Sequence, residues 1–309
     1  MRELPKVATR RKGKLRYSIM TMPNFIIIGV AKAGTTSLYR YLDQHPQVFM
    51  SPVKETNFFA YEDMRAGTWT SGGDPPNPAY FPVKTLEAYE AMFAGVSDEI
   101  AIGEASPRYF CSPTAPQRIH ECIPDVKLVA CLRNPADRAF SGFLMRVRKG
   151  HAKMKIRERL TPESHHVVEG FYYSWLKRYS DLFPKDQIKI YVFEEFKKNA
   201  AGVVADLYDF LGVDTSFAPD TSVKYNPGAV PKIRLFNKLF YNPRLIDITK
   251  SMLPESMQEK LKQIRELNLT TSPKMPPDLR VELLNIYRED ILKLEELLGR
   301  DLTIWLEGV

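Results

Sequence analysis

The sequence predicts an α/β fold: a central parallel β-sheet with helices on both faces and a helical C-terminal region. Three segments carry that expectation, each an apolar run that ends in a loop and leads into a helical pattern. First, NFIIIG at residues 24–29 is a continuous β-branched run suited to a strand buried on both faces, and TSLYRYLDQHP follows as a helix. Second, KLVACLR at 127–133 ends on Arg133, and Asn134-Pro135 opens the helical stretch DRAFSGFLMRVRK. Proline suits the first position of a helix. Third, QIKIYVFEEF at 187–196 precedes the helical AGVVADLYDFLGV. Beyond about Lys232 the pattern turns helical, with apolar residues at three- and four-residue steps in PPDLRVELLNIYREDILKLEELLG.

At 309 residues the chain is long enough for a sizeable core, and α/β architectures of this length often form one unit. We expect a basic, mobile arm over residues 1–20 and a single domain over 21–309. The formal charge is +7, yet residues 1–16 contain seven Lys or Arg and one Glu, which leaves about +1 for the rest. So nearly neutral a body gives no reason to expect a nucleic-acid partner. Cys111, Cys122 and Cys131 have neither metal-ligand spacing nor an even count for a disulfide framework. The longest apolar run, FIIIGVA at 25–31, falls far short of a membrane span, and the start lacks the pattern of a signal peptide. The expected location is the cytoplasm.

Two segments are expected to face a substrate. Residues 61–82, with TSGGDPPNPAYFP, are rich in Pro and Gly and show no helical or alternating pattern, as a long functional loop would. Residues 146–170 begin with RVRKGHAKMKIRER, a run with seven Lys or Arg and one Glu that suits either a solvated face or a funnel for an anionic acceptor. His165 and His166 fall in that second stretch and read as surface histidines.

The chemistry concentrates at GVAKAGTTS, residues 29–37. A glycine-rich turn between a buried strand and a helix aims backbone N–H groups and the positive end of the helix dipole at one point, where an anion binds. Gly29 and Gly34 have the spacing of a phosphate-binding P-loop, which makes the expected architecture a three-layer fold of P-loop type. The lysine is displaced, however: Lys32 lies inside the loop, and Thr35 follows the second glycine. An ATP or GTP hydrolase also ends its second strand on an acidic residue that holds Mg²⁺. Here KLVACLRN ends on arginine, so the expected donor is a nucleotide whose transferred group needs no metal. Arg133, with a planar fork suited to phosphate, and Ser141, eight residues on, describe a second phosphate site.

GVAKAGTTSL and LRNPADRAFSGF together resemble the sulfotransferases that use 3′-phosphoadenosine 5′-phosphosulfate (PAPS), and the resemblance extends through most of residues 23–309. It includes HPQVFMSPVKETNFF, GEASPRYF, FPKDQIKIYVFEEF, KYNPGAVPK and EELLGRDLTIW. The resemblance implies that Lys32, Ala33, Gly34, Thr35, Thr36 and Ser37 hold the 5′-phosphosulfate. Arg133 and Ser141 would hold the 3′-phosphate, and Lys232, in the segment that closes over the nucleotide, would reach toward it. VKETNFF is similar to a segment of the heparan-sulfate-type branch and its bacterial relatives, which makes Glu55 the implied catalytic base. That branch often carries His two residues after the glutamate, where this chain has Asn57.

The implied reaction is in-line transfer of a sulfo group to an acceptor hydroxyl on a glycan, lipid, metabolite or carrier-bound acyl chain. Glu55 would take the hydroxyl proton, and Lys32 with the loop amides would stabilise charge on the leaving phosphate. Two other readings share these residues: a P-loop kinase or nucleotide hydrolase, and a non-catalytic nucleotide-binding module on the same fold.

Overall fold

The computed structural model describes residues 6–11, 14–19, 21–68, 80–148, 155–223, 229–231, 257 and 269–307. Where the sequence suggests a mobile basic arm, the backbone pairs with itself: β1 (Lys6–Arg11) and β2 (Lys14–Ile19) run antiparallel, from Lys6 opposite Ile19 to Arg11 opposite Lys14. Only Lys12 and Gly13 separate the strands in sequence, the spacing of a two-residue hairpin, and Val7, Thr9, Tyr17 and Ile19 supply strand-forming residues.

The chain forms two compact units, one from residues 1–132 and 175–225 and the other from 133–174 and 226–309. The first holds a five-stranded sheet. β3 (Phe25–Gly29) is buried along its length, because Phe25, Ile26, Ile27 and Ile28 present large apolar side chains to both faces. β4 (Val48–Met50), β5 (Ala101–Ala105), β6 (Lys127–Leu132) and β7 (Ile188–Val192) complete the order β4-β5-β3-β6-β7, and every pairing is parallel. Helices cover both faces, as the alternating pattern predicts.

The helices of this unit follow their local signals. α1 (Thr35–Leu42) buries Leu38, Tyr39, Tyr41 and Leu42 on one side, and the Tyr39 hydroxyl donates to the Ser51 carbonyl at 2.8 Å. α2 (Tyr61–Arg65) occupies the start of the segment expected as a loop. Glu62 and Asp63 in its first turn and Arg65 in its last suit the helix dipole, a signal too short to show as periodicity. Residues 69–79 of that expected loop lie outside the described residues. α3 (Leu86–Glu90) is capped by the Thr85 hydroxyl, and α4 (Ala115–Cys122) carries Pro116 in its first turn.

Among the described residues the second unit is mostly helical. α5 (Pro135–Arg148) is capped by Asn134, whose Oδ1 accepts from the Ala136 and Asp137 amides at 3.1 and 3.2 Å, as Asn-Pro at a helix start predicts. Asn134 Nδ2 also donates to the Trp305 carbonyl at 3.0 Å. α6 (Ile156–Arg159) and α7 (His165–Val168) add regular structure to the 146–170 stretch, of which residues 149–154 lie outside the described set. α8 (Tyr172–Ser180) follows, and the first unit continues with α9 (Phe193–Lys198) and α10 (Ala200–Leu211). β8 (Ala229–Pro231) pairs antiparallel with β9 (Leu269–Thr271), and α11 (Pro277–Leu298) forms the long C-terminal helix that its spacing predicts.

Arg138 is buried, ion-paired with Glu169 at 2.8 Å and donating to the His166 backbone carbonyl. His166 is itself only 6% exposed, which corrects the sequence reading of a surface histidine. It lies on α7, whose start is capped by Ser164, with its ring centroid 3.7 Å from that of His165. Burial first, then the neighbouring His165 and Arg138, hold its imidazole neutral and bring its pKa down to about 2. The unfolded chain protonates this residue near pH 6.5 while the fold resists. Stability conferred by the neutral ring is therefore complete above that pH and lost as pH falls toward 2. Chemical denaturation at pH 7 and pH 5 should show a loss of about 2 kcal/mol from this residue, at ~1.4 kcal/mol per pH unit below 6.5. His166→Gln should flatten the pH dependence by that amount.

Candidate active site

The strand order reverses at β3: the chain runs out to β4 and β5 on one side, then crosses to β6 and β7 on the other. Open α/β sheets leave a crevice outside the carboxyl ends of their strands at such a point. The loop at residues 29–37 leaves β3 there, tied to β6 by the Val30 amide, which donates to the Cys131 carbonyl at 3.0 Å. Its glycines are sterically required. A Cβ at Gly29 would lie 2.5 Å from Cβ of Phe110, and Gly34 takes a left-handed φ of 85° with Phe196 against its α-carbon.

Beyond Gly34 the first amide committed to α1 is that of Leu38, which bonds to the Gly34 carbonyl at 3.0 Å. The amides of Thr35, Thr36 and Ser37 therefore point out of the N-terminus of α1, whose first turn carries no carboxylate. The Ala33 amide donates to the Val30 carbonyl at 3.3 Å and its methyl is buried, so Ala33 shapes the loop through its backbone. Backbone amides, hydroxyls and one lysine, with no acidic residue among them, form a donor set that fits a phosphate or sulfate ester.

Glu55 follows β4, across β5 from β3. Its amide donates to the Ala105 carbonyl at 2.9 Å, while the Ser106 amide donates to the Ile27 carbonyl at 3.0 Å. The Ala105 carbonyl and the Ser106 amide belong to one peptide and face opposite sides of β5, so the Glu55 backbone, on the β4 side, and the end of β3 sit about two strand spacings apart, ~10 Å. The Glu55 side chain is 48% exposed, and Lys54 Nζ is 2.8 Å from its Oε1. Among the described residues the non-glycine positions with positive φ are Lys32 (76°), Glu55 (64°) and Asn57 (51°). Each such conformation costs on the order of 1–3 kcal/mol and persists only where the surroundings over-determine it. Both residues singled out for catalysis are in that small set.

What holds the turn at 55–59 is a carboxylate that the sequence reading passed over. Glu104, on β5, is fully buried. Its Oε2 accepts from the Thr56 and Ser106 hydroxyls, both at 2.8 Å, and its Oε1 from the Tyr89 and Tyr109 hydroxyls, both at 2.9 Å. Burial pushes its pKa up, and the four hydrogen bonds oppose that shift. The Asn57 amide donates to Ser106 Oγ at 3.1 Å and the Phe59 amide to the Tyr109 hydroxyl at 3.3 Å. Arg118 closes the far side, donating to the Phe58 and Phe59 carbonyls at 3.0 and 2.8 Å. A lone carboxylate in the otherwise apolar strand AIGEA was the available signal.

Arg133 and Ser141 belong to the second unit, the one preceding α5 and the other in its second turn, and both are half-buried. The Arg133 carbonyl accepts from the Tyr172 hydroxyl at 2.8 Å, which fixes the backbone from which its guanidinium projects. Lys232 lies outside the described residues. Among the described residues no group of three or more His, Cys, Asp or Glu side chains is arranged to hold a metal ion, and no helix is long and apolar enough to cross a membrane.

Comparison with known proteins agrees with this geometry. The profile of the sulfotransferase family matches residues 23–217. The crystal structure of a sulfotransferase from Alicyclobacillus acidocaldarius is 34% identical, covers 93% of this chain and 100% of its own, and superposes with a TM-score of 0.71. The human bifunctional heparan sulfate N-deacetylase/N-sulfotransferase 3 is 25% identical over 302 residues, and N-deacetylase/N-sulfotransferase 1 of Xenopus tropicalis is 26% identical over 307. Each match covers 92% of this chain but 31% of the relative, so the chain spans about a third of the length of these curated proteins. By its family match, its full-length structural relative and its phosphate loop, the chain belongs to the PAPS-dependent sulfotransferases.

Proposed function

We propose that this chain moves the sulfo group of PAPS to a hydroxyl of a glycan-type acceptor, with Glu55 as general base and no metal ion. The observation that carries the reading is the pair of left-handed residues, Lys32 and Glu55, in the segments that leave the carboxyl ends of β3 and β4, on either side of β5. Bound PAPS supplies an activated sulfo group. Lys32 and the amides of Gly34–Ser37 hold the phosphate from which that group departs and offset the charge that grows there. Glu55, in the turn after β4 and half-exposed, can meet an acceptor hydroxyl and take its proton as the new S–O bond forms. Arg133 and Ser141 take the 3′-phosphate, and Lys232 joins them. Residues 21–309 carry the reaction, in the cytoplasm.

The acceptor class rests on the curated relatives, whose names place them on heparan sulfate. Those names also specify N-sulfation, which makes an amino group the second reading. Glucosamine-containing oligosaccharides with free and with blocked amino groups separate the two by mass spectrometry: loss of product on blocking the amine favours nitrogen.

In an assay with EDTA present, Glu55→Gln should lower kcat by ~10²- to 10⁴-fold, the usual contribution of a positioned base, and Lys32→Ala should also lower it. Full turnover in both variants would refute the mechanism. By calorimetry, 3′-phosphoadenosine 5′-phosphate should bind more tightly than AMP, and Arg133→Ala should abolish the preference without unfolding the chain. Gly34→Ala should destabilise the fold by ~1–2 kcal/mol through its left-handed backbone and weaken nucleotide binding, both readable in one thermal-shift titration.

A further inference from the structure

We propose that Glu104 is a positioning residue for Glu55, acting through the hydroxyls of Thr56, Ser106 and Tyr109 to hold the 55–59 turn in its left-handed form. The inference rests on the reading of Glu55 as the base. Glu104 has no exposed surface and cannot itself touch an acceptor.

The protons available to these hydroxyls decide the direction of their bonds. A hydroxyl has one proton to give and two lone pairs to receive with. Ser106 and Tyr109 spend their protons on the Glu104 carboxylate, at 2.8 and 2.9 Å. Each is left able only to accept, and each stands where a backbone amide of the turn needs an acceptor: Asn57 at Ser106, Phe59 at Tyr109. Thr56, between the two left-handed residues, gives its proton to the same carboxylate. The carboxylate therefore fixes the direction of the hydrogen bonds that hold the residues on either side of Glu55's strained backbone. An amide in its place would offer N–H donors to one pair of hydroxyls. Their own protons would then face no acceptor in a buried site, and the turn would lose its fixed geometry.

The test compares steady-state kinetics of Thr56→Val, Thr56→Ser, Glu104→Gln, Glu55→Gln and the double variant Glu55→Gln with Thr56→Val. We expect Thr56→Val and Glu104→Gln to lower kcat by ~10²-fold, the scale of a misplacement of about 1 Å. The KM for PAPS and the affinity for 3′-phosphoadenosine 5′-phosphate should stay unchanged, because the donor loop is built separately. Thr56→Ser should recover most of the loss, and the double variant should be no slower than Glu55→Gln alone. Should Glu104→Gln fail to fold, Thr56→Val, which removes one hydroxyl of the set, carries the test. Wild-type kcat in a folded Thr56→Val, or a further full loss in the double variant, overturns the positioning role while leaving Glu55 as base. Full turnover in Glu55→Gln instead removes the base reading, and this inference with it.

Discussion

A carboxylate cut off from water persists only where its lone pairs are met, and Glu104 meets that condition with four hydroxyl donors. Those donors come from separate parts of the chain: Thr56 from the turn, Tyr89 from α3, Ser106 from the end of β5 and Tyr109 from the short turn after it. Apolar packing alone would bring these segments together with latitude in their exact placement. A shared buried charge removes the latitude, since each donor that drifts leaves an unmet acceptor at a cost of about 1–3 kcal/mol, more for a charged group. The same burial pushes the Tyr89 and Tyr109 hydroxyls well above their usual pKa, so they remain donors at any physiological pH.

Strain and support are divided between different residues. Lys32, Glu55 and Asn57 hold unfavourable backbone angles, while the elements around them are ordinary: parallel strands with buried β-branched side chains, and helices begun by Gly34, Thr85 or Asn134. The loop at 29–37 is held by β3 and β6 and by the close approach of Phe110 to Gly29. The turn at 55–59 is held by β5 and the Glu104 cluster. Each thus has its own scaffold, joined through the Ile27–Ala105 pair.

Much of this was legible in the sequence. Runs such as FIIIG and KLVACL announce strands buried on two faces, Asn134-Pro135 announces the start of α5, and the spacing in α11 gives the C-terminal helix. The turn at 29–37 was legible because the close approach of Phe110 and a left-handed φ both require glycine, which leaves a mark in sequence. Four features were not. α2 is too short for its periodicity to register, and the β1–β2 pair sits in a segment whose charge masks its alternation. Glu104 and His166 were obscure for a shared reason: burial of a polar group depends on partners distant in sequence, such as Thr56, 48 residues away from Glu104. Residue type alone argues for the surface at both positions.

The order of strands has a consequence for the growing polypeptide. The loop at 29–37 follows the first strand of the five-stranded sheet, yet its ties run to Phe110 and Cys131, about eighty and a hundred residues downstream. Synthesis delivers those partners only after β4, β5 and the turn bearing Glu55 have emerged. Because closing such long loops must precede any reward from the contacts, the sheet assembles late and cooperatively. A nascent chain shorter than about 130 residues therefore carries the whole glycine-rich loop sequence without the contacts that shape it, and the loop at 29–37 takes its form together with the turn at 55–59.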